Sequence, residues 1–111
     1  MLALPLIVST LFSLVAAQSA SGTGDAARGK DIYLRYSCYA CHGYAGHGGA
    51  GPRLVPMRLS LPAFASVVRN PPTMPPYSAK LLSDAQLSDV WRYIRALPEW
   101  PPASRIPLLA K

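Results

Sequence analysis

Residues 38–42 read Cys38-Tyr39-Ala40-Cys41-His42, and this pentapeptide constrains the chain more than any other feature. The chain has no other cysteine, so both thiols act in this one place. Three chemistries use such a pattern. The first is a dithiol redox pair, but a thioredoxin-like switch needs a βαβ setting, and nothing here alternates like strands. The second is zinc. Cys38, Cys41, His42 and His47 offer four N/S donors, yet all four lie in one short stretch, whereas structural zinc sites draw on two separated ligand pairs. The third is covalent haem. C-x-x-C-H is the attachment signature of a c-type haem. The two thiols add across the vinyl groups of one porphyrin, and the adjacent histidine lies under the iron as its proximal ligand. One such haem, haem c, is expected, with no disulfide once it is attached.

The rest of the chain reads as an all-α fold. Asp25 is a good N-cap, and Ala26, Gly29, Ile32, Tyr33 and Tyr36 recur at helical spacing, so a first helix runs to about Ser37. It delivers the chain into the cysteine motif. The glycine-rich stretch 43–51 can wrap tightly around a flat ligand. A short helix spans Ser60 to Asn70, with Pro62 early, Phe64, Val67 and Val68 on one face and Pro71 as the stop. Pro71, Pro72, Pro75 and Pro76 hold an extended loop around Met74. Ser83-Asp84-Ala85-Gln86 has the spacing of a capping box. Leu87, Val90, Trp91, Ile94 and Leu97 then form one apolar stripe, with Asp89, Arg92 and Arg95 off it, and Pro98 ends the helix. Three short helices bury little surface by themselves, and so small a domain is marginal on surface-to-volume grounds. A haem face would supply the missing apolar centre.

The 111 residues fit one domain. Residues 1–17 carry no charged side chain and break at Gln18. They read as a secretory signal cleaved after Ala17; a retained membrane anchor is the alternative, although Pro5 interrupts a run shorter than the roughly 20 apolar residues of a span. The expected organisation is a signal peptide over 1–17, a flexible lead over 18–24, a monohaem domain over 25–97 and a proline-rich extended tail over 98–111. Eleven Lys and Arg against five Asp and Glu give a net charge of +6. That charge steers toward an acidic docking surface on a redox partner. Nucleic acid is not expected, because the basic residues are scattered and the chain is exported. Membrane contact is expected only if the N-terminal segment is retained.

A haem iron held by His42 has a sixth position, for which Met57, Met74, His47 and water compete. Met74 is the best placed. It lies far enough beyond His42 for the chain to pass round the haem edge, and its flanking prolines hold the loop rigid. A lone methionine is ordinarily core packing, and Met57, next to Arg58, remains the second choice. His47, in the glycine loop, is expected to face solvent.

With these residues in view, the chain resembles the class I c-type cytochromes over about Gly24 to Leu97. The elements occur in family order: Gly29 and Tyr33, the Cys38–His42 motif, Gly51-Pro52-x-Leu54, Val68-Arg69-Asn70-Pro71, Met74-Pro75-Pro76-Tyr77, and a last helix with Trp91, Tyr93 and Leu97. The resemblance implies a cytochrome c fold of three main helices around one haem, and attachment of that haem outside the cytoplasmic membrane. It implies that the first and last helices cross at Gly29, against Tyr93 or Ile94. It implies that the Pro52 carbonyl fixes the proximal histidine. It makes Arg53 and Arg69 candidates for the haem propionates, against the plain reading of each as a solvated surface group. The sequence looks more like the small bacterial cytochromes of the periplasm than the lysine-rich mitochondrial type.

The function expected is therefore single-electron transfer between redox partners through a His42/Met74 iron, without independent catalysis, since no general base or nucleophile stands out. The alternative is a dedicated electron-accepting subunit of a periplasmic dehydrogenase or reductase complex.

Overall fold

The computed structural model describes residues 24–109. The run 1–17, nearly all of the 18–24 lead and the last two residues of the tail lie outside the described residues. The chain forms α1 (Ala26–Arg35), α2 (Cys38–His42), α3 (Leu61–Arg69) and α4 (Asp84–Ala96), then a single 3₁₀ turn at Ala103–Arg105. No strand occurs among the described residues. No helix among them is long and apolar enough to cross a membrane.

Each longer helix starts where its cap dictates. The Asp25 carboxylate accepts the Arg28 N–H at 2.8 Å, and that bond holds its pKa below the usual carboxylate range. The Ser60 hydroxyl accepts from Ala63 N–H. Ser83 and Gln86 form a reciprocal capping box at 3.2 and 2.8 Å. The helix ends are equally local. Asn70 closes α3 before Pro71, and α4 stops before the extended Leu97-Pro98 pair.

The packing of α1 on α4 is the centre of the fold. A Cβ built on Gly29 would lie 1.9 Å from the Asp89 carbonyl oxygen and 2.8 Å from the Tyr93 Cβ. Only a residue without a side chain lets the two backbones approach so closely. Tyr33 and Tyr93 meet edge to face one turn further on, at 5.4 Å. Ile32, Tyr33, Leu87, Val90, Trp91 and Ile94 make the core from these two helices, joined by Val55, Phe64, Val68 and Leu82.

Asp89 departs from the sequence expectation. It lies off the apolar stripe, yet it is only 6 % exposed. The start of α1 covers it: its carboxylate accepts the Asp25 N–H at 2.6 Å and the Arg28 Nε–H at 3.0 Å. A buried carboxylate is tolerated because it is paired and sits at the positive end of α1.

Candidate functional site

Where α1 ends, Ser37 takes a left-handed backbone conformation (φ 58°) and turns the chain into α2. This short helix carries Cys38, Cys41 and His42. All three face one cavity of about 460 Å³, within the range of small-molecule sites. Its walls are drawn from every part of the fold: Tyr33 from α1, Gly51, Pro52 and Leu54 from the glycine loop, Met57 and Leu59 from the following strap, Val67 and Val68 from α3, Met74 from the proline loop, and Leu87, Val90 and Ile94 from α4. Val67, on the side of α3 predicted to be apolar, lines this cavity and is 43 % exposed.

The imidazole of His42 is fixed in place. Its Nδ1 lies 2.7 Å from the Pro52 carbonyl oxygen. A carbonyl can only accept, so Nδ1 carries the proton and Nε2 keeps its lone pair for a metal. Gly51 completes the cradle, since a Cβ there would lie 2.9 Å from the His42 Cε1 and 3.3 Å from the Cys41 Cβ. The Gly51 N–H also bonds the Cys41 carbonyl at 2.8 Å. Burial pushes the Cys38 thiol pKa up, while Cys41 stands exposed at the rim. Two thiols at different depths and one oriented imidazole on an apolar wall are the donor set that a covalently held, flat, iron-bearing ring requires.

Met57 and Met74 both line the cavity, so the wall itself admits either as a second donor. The strap that carries Met57 is held by the Trp91 indole N–H, which donates to the Leu59 carbonyl at 2.9 Å. Pro52 stands at His42 as expected. Arg53 is exposed beside it, on a second, shallower depression that it shares with Arg58. Arg69 lies off the cavity wall. Its guanidinium donates to the Tyr77 carbonyl at 2.8 Å and to Asp84 Oδ1 at 2.7 Å. His47, expected in solvent, is half-buried under the tail: Nε2–H donates to the Pro98 carbonyl at 3.2 Å, and the ring meets Trp100 edge on at 4.5 Å. The proline-rich tail thus folds back over the glycine loop.

Tyr33 is a site residue that reads in the sequence only as a helix-face aromatic. It is fully buried, lines the cavity and donates its hydroxyl to the Gly43 carbonyl at 2.7 Å, tying α1 to the end of α2. Burial raises its pKa far above that of an ordinary phenol.

The family described as cytochrome c oxidase, cbb3-type, subunit III matches residues 24–94. The chain belongs to this family of c-type cytochromes. The match runs from the residue before the α1 cap to the Ile94 of α4, so it takes in the whole cavity wall. The cytochrome is also similar to the cytochrome bc1 complex cytochrome c subunit of Corynebacterium diphtheriae, with 32 % identity over 83 residues, 69 % of this chain. It spans 29 % of that relative's length. No solved structure matches it. Membership carries a covalently bound haem c and electron transfer through it. The cradle of Cys38, Cys41 and His42 accommodates that haem by its donor chemistry and by the space that Gly51 leaves open.

Proposed function

We propose that the protein is an exported carrier of single electrons, with Cys38 and Cys41 bonded to the haem and His42 and Met74 as axial ligands. The observation that carries this reading is one apolar cavity lined by all four residues, with His42 aimed by Pro52. The haem supplies an iron that alternates between ferrous and ferric states. The chain's own work is to hold the ligands still while charge changes. Pro52 keeps the His42 ring from rotating and makes it a better donor. The apolar wall excludes water, and so favours the state with less charge.

Met74 is preferred to Met57 as the sixth ligand because prolines on both sides restrict its loop. Arg53, exposed beside Pro52, is assigned to a haem propionate. The net charge of +6 suits docking on an acidic partner surface.

The ferric protein should show the near-infrared sulfur-to-iron charge-transfer band of methionine ligation. Met57→Leu should keep it and Met74→Leu should abolish it; the reverse pattern would move the ligand to Met57. Met74→His should lower the potential by on the order of tenths of a volt, within the span that axial ligands command. In the same exported preparation the first residue should fall between Gln18 and Gly22, and an intact Met1 in the membrane fraction would mean an anchor instead.

A second reading has support from the comparisons. Both names are those of subunits, the family's of a cbb3-type cytochrome c oxidase and the corynebacterial relative's of a cytochrome bc1 complex. In this reading the same haem serves as the fixed electron relay of a larger assembly. Purification from mild detergent distinguishes the two, because a subunit travels with the complex and a carrier elutes alone.

A further inference from the structure

We propose that Arg69 is a positioning residue for Met74: it locks the two ends of the proline loop together and ties the closed loop to α4. The inference rests on the reading of Met74 as axial ligand.

The loop leaves α3 at Asn70 and returns to the same helix end at Tyr77, whose N–H bonds the Val68 carbonyl at 3.1 Å. Four of the six residues between are prolines. Prolines narrow the backbone but remove its N–H donors. Among the described residues, no backbone hydrogen bond outside the helices involves residues 71–76. A loop built this way is stiff but unattached, so its orientation is decided where it begins and ends.

Arg69 acts at that closure. One guanidinium nitrogen donates to the Tyr77 carbonyl at 2.8 Å and another to Asp84 Oδ1 at 2.7 Å. The planar fork spans two acceptors at once, which a lysine ammonium on its flexible stem does not reproduce. The two partners differ in setting. The Arg69 side chain is 18 % exposed, whereas Asp84 is 89 % exposed, so the bond to Tyr77 is the firmer of the two and the ion pair is weakened by salt. A third tie completes the closure: the Tyr77 hydroxyl donates to the Tyr36 carbonyl at 3.2 Å, and the two rings pack edge on at 6.1 Å. The loop that carries Met74 is thereby referred to α3, α4 and the C-cap of α1 together. A loop held by these ties limits how far the methionine sulfur can withdraw, and loosening them widens that range.

The test is cyanide displacement of the sixth ligand in the ferric, haem-loaded protein. Arg69→Met should speed cyanide entry about tenfold or more, the scale of a lost charge-assisted bond. Arg69→Lys should fall between, and Asp84→Asn should shift the rate in the same direction by less. With Met74→Leu in place the Arg69 substitution should no longer matter, a dependence that a merely structural role would not show. Arg69→Met at the wild-type rate would overturn the proposal. So would an Arg69 effect that persists in the Met74→Leu background, which would place the arginine on the haem instead. Should Arg69→Met not fold, Asp84→Asn and Arg69→Lys decide by the same criteria. A wild type without the methionine band would defeat the ligation reading itself, whereas a band that Met74→Leu removes, with no Arg69 dependence, defeats only the positioning role.

Discussion

At the scale of single residues, the site depends on a few polar atoms held against an apolar wall. The Nδ1–H of His42 donates to Pro52, and the Tyr33 hydroxyl donates to Gly43. Tyr33 makes a prediction about pH. It is buried as the neutral phenol, and its pKa is raised by that burial. Above the ordinary phenol value of about 10 the unfolded chain loses this proton while the folded one keeps it. The folded state then binds more protons, so stability falls as pH rises through and beyond that value. Tyr33→Phe should cost about 1 kcal/mol at neutral pH, the usual worth of one buried hydrogen bond. It should also flatten the alkaline decline, which melting curves taken across pH would show. An equally steep decline in Tyr33→Phe would assign the effect to Tyr77 and Tyr93, whose pKa values burial also raises. Cys38, Cys41 and His42 were legible in the sequence because their residue types and spacing carry the chemistry; Pro52 was pointed to only by the family resemblance, and Met74 shares the cavity wall with Met57. Asp89, Asp84 and His47 were not. Their roles come from distant segments: the α1 cap, Arg69 on α3 and the tail at Pro98 and Trp100. No local pattern announces such partners.

At the scale of elements, the α1/α4 crossing fixes everything the cavity needs. It seats Tyr33 beside α2 and turns the Leu87, Val90 and Ile94 edge of α4 toward the same space. Gly29→Val would drive a branched side chain into the Asp89 carbonyl and the Tyr93 Cβ. Overpacking of this kind costs about 1–3 kcal/mol. In a domain of this size each kcal/mol lowers the melting temperature by about 4–8 °C. An unchanged melting temperature would mean that the helices do not meet there. The helices were readable from caps and periodicity: Asp25, Ser60 and Ser83 each begin one, and the capping box at Ser83 is fully formed. The short α2 was not predicted as a helix, because five residues carry too little periodicity. The 3₁₀ turn at Ala103–Arg105 likewise has no local signature.

At the scale of the whole molecule, core and cofactor site are one object. The core residues Tyr33, Phe64, Val68, Leu82, Leu87, Val90 and Ile94 also line the cavity, so the haem face continues the hydrophobic centre that so short a chain cannot build alone. The wall is drawn from all four helices and from the loops that carry Pro52, Met57 and Met74. Any movement of iron ligands on a change of charge would therefore disturb the whole packing, and a site that does not rearrange is what single-electron transfer requires. The most direct test is a redox titration of the exported, haem-loaded protein, with and without carbon monoxide. With His42 and Met74 both bound to the iron, as proposed, one reversible one-electron step is expected, and carbon monoxide leaves its midpoint in place. A midpoint that climbs when carbon monoxide is added would show an open iron, and would replace electron transfer with ligand binding as the work of this protein.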